Sequence, residues 1–143
     1  MTEPAVESDQ TPRMLPQLTP QNRHFWTGGA NGELLILRCR GCGRWVHPPA
    51  SVCPTGDGGE LVPEATSGKG TVFTFTINRH PYNPAVPLPY VIAIVELPEQ
   101  KGLRFTTNIV NCAPEDVTIG MRVRVLFEQY DEIHVPVFEP DAS

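Results

Sequence analysis

The spacing of the cysteines is the feature that most constrains how this chain folds. Two residues separate Cys39 from Cys42, and Gly43 follows directly. Cys53 opens a second segment of the same form, in which Gly56 stands where a fourth cysteine would complete the pattern. A two-residue spacer places two thiolates on one side of a tight turn, and two such turns supply the four donors of tetrahedral zinc. The sequence therefore predicts a metal knuckle at the first pair and an incomplete knuckle at the second.

The missing fourth donor leaves the metal content open. Asp57 is the candidate by position, His47 is the candidate by ligand preference, and a water molecule is the third. Three thiolates still bind zinc, but they lose much of the roughly 10–16 kcal/mol that complete structural sites contribute. A structural zinc and a degenerate ribbon held by packing alone are both compatible with this pattern.

The composition favours an all-β fold with one short helix. The chain has 143 residues, and its 16 prolines and 12 glycines indicate short strands joined by many turns. Thr19 and Pro20 predict the start of a helix of two turns at most, with Phe25 and Trp26 on its buried face. Such a helix is unstable alone, so the aromatic pair must dock on the ribbon or on another chain.

Apolar runs predict strands on both sides of the first knuckle and a second group of strands after residue 66. The first two lie at residues 33–38 and 44–47, and the others at 71–77, 90–97, 103–111, 122–127 and 133–138. The later group fits a small closed Greek-key barrel. We therefore divide the chain into a disordered or partner-ordered tail at 1–16, a helix and ribbon at 17–66, and a barrel at 67–140.

Charge and hydropathy argue against two classes of partner. The net charge of −5 disfavours binding to phosphate backbones, although a single-stranded nucleic-acid binder remains an alternative because small barrels serve that role. No run approaches the roughly 20 apolar residues of a membrane span, and residues 1–17 lack a signal sequence. We expect a cytoplasmic protein with reduced thiols that binds neither nucleic acid nor membrane.

A proline-rich loop is the second candidate for function. Residues 80–89 hold four prolines, and Arg79, His80 and Tyr82 are side chains of the types that anchor interfaces. A plain surface connection is the alternative interpretation. Cys112 and the scattered histidines have no partners at a suggestive spacing, so we expect no catalytic residue in this chain.

The order of these motifs from Thr19 to Pro140 resembles the acyl-CoA-associated family known as domain of unknown function thirty-five. The residues that carry the resemblance are Phe25-Trp26, Gly32 to Leu34, Cys39 to Gly43, Pro48-Pro49, Cys53-Pro54, Gly70 to Thr76, Val95 to Leu97 and Ile119 to Val123. The resemblance implies a rubredoxin-like zinc ribbon followed by an OB-fold. Gly56 departs from it, because the family usually has the fourth cysteine there.

The resemblance also implies a function. Family members are non-catalytic subunits beside thiolase-like enzymes, so we expect a heteromer that acts on acyl-CoA, most specifically a retro-aldol lyase for a steroid-type side chain. Subunits of an acetyl-CoA acetyltransferase or of a hydroxymethylglutaryl-CoA synthase-type complex are the alternatives. An independent acyl-CoA hydrolase or transferase is a further rival. The expected contacts to acyl-CoA or the partner are Phe25, Trp26, Arg38, Arg40, Arg44, Arg79, His80 and Tyr82.

Overall fold

The computed structural model describes residues 15–56, 58–81 and 87–141. One α-helix, α1 at Arg23–Thr27, leads into a 3-10 turn at Gly28–Asn31, and a second 3-10 turn lies at Pro114–Asp116. The eight strands are β1 (Leu35–Cys39), β2 (Trp45–Val46), β3 (Leu61–Ala65), β4 (Lys69–Asn78), β5 (Tyr90–Glu96), β6 (Arg104–Ile109), β7 (Arg122–Tyr130) and β8 (Ile133–Pro140). The all-β prediction with one short helix is confirmed.

The first sheet is an antiparallel ribbon in the order β2-β1-β3. The sequence predicts β1 and β2 but not β3, which pairs with β1 from Leu35 opposite Ala65 to Cys39 opposite Leu61. Pro63 interrupts the apolar pattern of β3. Proline is tolerated on an edge strand, where its missing N–H faces away from the sheet.

The second sheet is a closed barrel in the order β4-β5-β6-β8-β7. The pairs β4–β5, β5–β6, β7–β8 and β4–β7 are antiparallel, while β6 and β8 meet in parallel at Ile109 and Phe138. This order is that of a five-stranded Greek-key OB-fold. The predicted barrel is confirmed, and the predicted boundary between residues 66 and 67 falls in the turn that joins β3 to β4.

β4 closes the barrel because it pairs with two strands, β7 and β5. Its first residues pair with β7 and its later residues with β5, and the register shifts between Val72 and Thr74. The shift leaves Phe73 44% exposed, with the guanidinium of Arg104 at 3.7 Å from its ring centroid. The close approach of β4 to β5 also requires a glycine at residue 70, because a Cβ there would lie 2.6 Å from Cγ1 of Val95.

The ribbon and the barrel share one hydrophobic core. Leu34, Ile36 and Trp45 of the ribbon belong to the same buried cluster as the inward-facing residues of the barrel strands. Phe25 of α1 is buried at this junction, and its ring centroid lies 5.8 Å from that of Phe105 on β6. The helix is therefore stabilised by packing within its own chain, which is one of the two arrangements that the sequence left open.

The helix begins later than Thr19, the residue that the sequence predicts as its cap. Thr19 and Asn22 form a reciprocal pair: the Asn22 N–H donates to Thr19 Oγ1 at 3.2 Å, and the Thr19 N–H donates to Asn22 Oδ1 at 2.8 Å. This pair closes a turn ahead of α1, which starts at Arg23 and spans five residues. The cap signal is real, but it stabilises a turn before the helix.

A side-chain amide fixes the ribbon against the barrel. Gln100 lies in the turn between β5 and β6, and its Oε1 accepts a hydrogen bond from the Trp45 N–H at 2.9 Å. Its Nε2 donates to the Trp45 carbonyl at 3.0 Å. Both backbone groups of a buried residue at the edge of the ribbon are thus satisfied by one side chain of the barrel.

Replacement of this amide is expected to destabilise the whole fold. Gln100→Ala leaves the Trp45 N–H and carbonyl without their partners, which should lower the free energy of unfolding by about 1–3 kcal/mol. Urea unfolding followed by Trp fluorescence measures the change. Lys101→Ala, at the exposed neighbouring position, is the matched control. Equal stability of the two variants would contradict the assigned role of Gln100.

Candidate metal centre

Three sulfur atoms converge at the tip of the ribbon. The Sγ atoms of Cys39, Cys42 and Cys53 all lie within 4.8 Å of one another, and those of Cys42 and Cys53 are 3.6 Å apart. Cys39 and Cys53 are buried, whereas Cys42 is exposed. The structure therefore brings together the three cysteines that the sequence predicts as ligands.

The two turns that carry the cysteines differ in length. In the first, the Gly43 N–H donates to the Cys39 carbonyl at 2.9 Å, so the turn closes over four residue steps. In the second, the Gly56 N–H donates to the Cys53 carbonyl at 3.0 Å, over three steps. Gly43 and Gly56 both have φ of 79°, a value that favours glycine. The second knuckle is thus one residue shorter than the first.

The sulfur positions are compatible with three corners of a zinc site, because every pair lies within 4.8 Å. Zn–S bonds of about 2.3 Å in a tetrahedron place neighbouring sulfurs about 3.8 Å apart. The 3.6 Å between the Sγ atoms of Cys42 and Cys53 is close to this edge length. Cys39, Cys42 and Cys53 would hold the ion, which would tie the β1–β2 turn to the segment before β3 and supply folding energy.

Thr55 is the polar neighbour of this cluster that sequence reasoning misses. Its Oγ1 lies 3.0 Å from Cys53 Sγ and 3.6 Å from Cys42 Sγ. Hydrogen bonds from the Thr55 hydroxyl and the Arg44 backbone lower the pKa of Cys42. Threonine is a poor metal ligand by type, so only its position inside the second turn could have drawn attention to it.

His47, one predicted fourth donor, does not join the cluster. Its ring centroid lies 4.7 Å from that of Phe25 and 5.7 Å from that of Phe105. Burial, together with the nearby His24, lowers the pKa of His47 to about 4. Aromatic packing thus holds His47 at the junction of helix, ribbon and barrel, and the prediction that it ligates the metal is corrected. The other predicted donor, Asp57, lies outside the described residues.

The predicted aromatic contacts separate into one internal and one partly accessible ring. Phe25 is buried in the core, so it supports the fold and does not offer its ring to a partner. Trp26 is half-buried and packs edge-on against Phe25, with the ring centroids 4.8 Å apart. Of the pair, Trp26 is the residue that can contact another molecule.

The predicted arginines also differ in their contacts. Arg38 is engaged within the ribbon: Nη1 pairs with Glu64 at 3.0 Å, Nε donates to the Gly43 carbonyl at 2.9 Å, and the guanidinium lies 4.8 Å from the Trp45 ring centroid. Arg40 and Arg44 are exposed on the turn that carries Cys42. These two therefore remain the candidates for binding an anion.

The proline-rich loop is described only at its ends. Arg79 pairs with Glu115 at 3.2 Å, and both side chains are exposed. His80 is exposed and follows Asn78, whose Nδ2 donates to the His80 carbonyl at 2.9 Å. Tyr82, the third predicted contact, lies outside the described residues.

A neutral surface extends from the barrel to the helix. Two shallow depressions of about 340 and 200 Å³ share Ile92 and Thr106. Neither depression is lined by a charged side chain, and the second reaches Trp26. We call this area the neutral face. Its outward residues pair across β4, β5 and β6, with Ile94 between Thr74 and Thr106, and Ile92 between Thr76 and Asn108.

A larger cavity of about 790 Å³ lies between the ribbon and the turn before α1. Its walls include Leu37, Val52, Cys53 and Leu61, so it borders the metal centre.

Cys112 lies away from this centre. It packs against the core, and burial raises the pKa of its thiol. In the described part of the chain no helix has the length and apolar character needed to cross a bilayer.

Comparison with known proteins identifies the family. The model described as "ChsH2, rubredoxin-like zinc ribbon domain" matches residues 26–62, and "ChsH2, C-terminal OB-fold domain" matches residues 64–128. A DUF35 domain-containing scaffold protein of Methanocaldococcus jannaschii is 41% identical over 101 residues, which cover 69% of this chain and 70% of that protein. This chain belongs to the DUF35 family. The resemblance drawn from the sequence is confirmed.

Solved structures of the family share this architecture. The structure of an "Ltp2-ChsH2(DUF35) aldolase" matches with a TM-score of 0.78 and 35% identity, over 88% of this chain and 98% of that chain. A DUF35 protein of unknown function from Sulfolobus solfataricus matches with a TM-score of 0.61 at 16% identity, which supports the fold alone.

Two longer relatives are named as hydratase subunits. A probable enoyl-CoA hydratase alpha subunit of Thermomonospora curvata is 34% identical over 138 residues, 94% of this chain and 43% of that protein. A 3-oxo-4,17-pregnadiene-20-carboxyl-CoA hydratase alpha subunit of Mycobacterium tuberculosis is 32% identical over 93% of this chain and 42% of that protein. The DUF35 chain described here thus spans less than half the length of these two relatives.

His47 should make the stability of this DUF35 protein depend on pH. Its pKa is about 4 in the folded chain and about 6.5 when unfolded, so the unfolded state binds more protons between these values. Stability is therefore lost as pH falls below 6.5. From pH 7.5 to 5, His47 should account for a loss of about 2 kcal/mol, measurable by urea unfolding. His47→Phe should remove this part of the pH dependence, and an unchanged dependence would contradict the assignment.

Proposed function

We propose that this chain is a non-catalytic subunit of an enzyme complex that acts on acyl-CoA thioesters. Its partner is a thiolase-fold enzyme, and the reaction is retro-aldol cleavage of a steroid-type side-chain acyl-CoA. The observation that carries this proposal is the likeness to the Ltp2-ChsH2(DUF35) aldolase, because it covers 98% of the matched chain. The hydratase names carry less weight, since more than half of each of those relatives lies outside the match.

The chemistry of the described side chains supports a role without bond-making steps. Cys112 is a weak nucleophile because burial raises its thiol pKa. His47 has a pKa of about 4 and packs between aromatic rings, so it is a poor general base at neutral pH. We therefore assign proton transfer and carbon–carbon cleavage to the partner enzyme, while this chain shapes the complex.

The neutral face is the surface that best suits the partner. The chain carries 27 charged residues, yet the two depressions on β4, β5 and β6 are lined only by apolar and uncharged polar side chains. Interface cores are depleted of charge because burying an unpaired charge costs several kcal/mol. Trp26 borders the same surface and is a residue type that anchors interfaces.

Arg40 and Arg44 are the side chains that suit the anionic end of acyl-CoA. Both are exposed on the first knuckle, and guanidinium groups bind phosphate oxygens in pairs. The apolar walls of the neighbouring 790 Å³ cavity, including Leu37 and Val52, suit a hydrophobic portion of the ligand. Ligand binding here would be shared with the partner.

Purification of the tagged chain from its native host tests the partner. We expect a thiolase-fold protein to co-elute in a fixed ratio and to be identified by mass spectrometry. A complex that contains a hydratase-fold protein and no thiolase-fold protein would contradict the proposal, as would a chain that elutes alone from a host shown to express a thiolase-fold neighbour.

A charge placed on the neutral face should weaken the complex. Ile94→Lys introduces an ammonium group between Thr74 and Thr106, and its burial at an interface should weaken partner binding by at least about tenfold. Isothermal titration calorimetry with the purified partner measures the affinity. Gln129→Lys, at an exposed position on β7, adds the same charge away from this face. Equal affinities with unchanged folding would exclude the neutral face as the interface.

A further inference from the structure

Arg104 lies at the border of the neutral face, on the side of the turn between β5 and β6. Residues two apart on a strand point to the same side of a sheet, so Arg104 shares the side of Thr106 on β6. Glu96 shares the side of Ile94 on β5 for the same reason. The pair Glu96–Arg104 follows the pair Ile94–Thr106 in the register of the two strands. Arg104 thus places a positive charge beside a surface whose depressions are lined by uncharged side chains.

An aromatic ring, and not the neighbouring carboxylate, makes the close contact with the Arg104 guanidinium. Its Cζ lies 3.7 Å from the ring centroid of Phe73, which is 44% exposed. Glu96 Oε2 lies 3.8 Å from Arg104 Nε, which is beyond hydrogen-bond distance, and this oxygen accepts the Gly102 N–H at 2.6 Å. Stacking on a ring orients the guanidinium plane and leaves the N–H groups at its edge available to an acceptor.

The donors of Arg104 find no acceptor in the part of the chain that the structure describes. The Nε atom is buried and makes no hydrogen bond there, while 37% of the whole side chain is exposed. Burial of a charged donor without a close acceptor is costly, and an acceptor on another chain would offset this cost. The other ion-paired arginines each have a carboxylate oxygen at 2.8–3.2 Å, namely Arg23, Arg38, Arg79 and Arg124.

We propose that Arg104, stacked on Phe73, is a charged anchor of the neutral face and binds a carboxylate side chain of the partner enzyme. This inference rests on the proposed function, because it names the chemistry at the edge of the proposed interface. A guanidinium binds a carboxylate through two parallel N–H···O hydrogen bonds. A charge pair at the edge of an uncharged surface also fixes the orientation in which two proteins dock.

Cross-linking through Arg104→Lys tests the chemistry of the contact. The full-length variant is mixed with the purified thiolase-fold partner and treated with a carbodiimide, which joins an amine to a carboxyl group as an amide and takes up the water that is released. Mass spectrometry should find the amine at position 104 joined to an aspartate or glutamate of the partner. Arg124→Lys is the matched control and should give no link to the partner, because Arg124 already pairs with Glu139 at 2.8 Å.

Calorimetric titration of the same partner tests the energy of the contact. Arg104→Met removes the charge and keeps an unbranched side chain, so partner binding should weaken by at least about tenfold and should become less sensitive to added salt. Phe73→Leu should weaken binding by about threefold. It should have little further effect in the Arg104→Met background, because the ring acts by orienting the guanidinium. Arg124→Met should bind like the natural protein. Thermal melting checks the fold, and Arg104→Gln replaces Arg104→Met if the latter melts at a lower temperature.

The possible failures are distinguishable. A cross-link from position 104 only to Glu96 of the same chain would overturn the anchor and leave the proposed function intact, as would unchanged partner affinity in Arg104→Met. Loss of acyl-CoA binding in Arg104→Met, with unchanged partner affinity, would assign the guanidinium to the phosphate groups of the ligand. A natural chain that does not bind the thiolase-fold partner would reject the proposed function itself, and the anchor with it.

Discussion

The packing of the Phe25 ring is the interaction on which the rest of this structure depends. The Phe25 ring contacts His47 at the end of the ribbon and Phe105 of the barrel. The Phe105 ring in turn lies 5.7 Å from the ring of Phe138. One ring thus joins a five-residue helix, a three-stranded sheet and a barrel into a single core. Neither the helix nor the small ribbon has enough buried surface to be stable alone, so this packing, together with the Gln100 amide bonds to Trp45, holds the two sheets against each other.

Much of the fold could be predicted from sequence because the barrel strands are apolar runs bounded by proline, glycine and turn residues. In β5 the run is nearly continuous, and the structure adds which side faces inward: Val91 and Val95 are buried, while Ile92 and Ile94 are half-buried. The edge strand β3 could not be found in this way, since Pro63 lies within it and most of its residues are exposed or half-buried. Its pairing is imposed by β1 rather than by its own propensity.

The candidate site could be predicted only in part, because sequence spacing identifies possible ligands but not how each side chain packs. Cys39, Cys42 and Cys53 follow a spacing rule, and the structure brings their sulfurs together. His47 is near them in sequence and of the right type, but aromatic packing holds its ring at the junction with the barrel. Sequence spacing does not show which side of a strand faces the core, and it does not show that the turn at Thr55 is one residue short.

A chain that packs His47 among aromatic rings and gathers three thiols at a candidate metal centre is suited to organising another enzyme, and reconstitution tests this proposal most directly. Turnover of a steroid-type side-chain acyl-CoA should be measured with this protein alone, with the proposed thiolase-fold partner alone, and with the two combined at equal concentration. We expect no turnover by this protein alone and a large increase in turnover when both proteins are present. Enzymatic cleavage of the thioester by this protein on its own, or equal rates for the partner with and without it, would contradict the account.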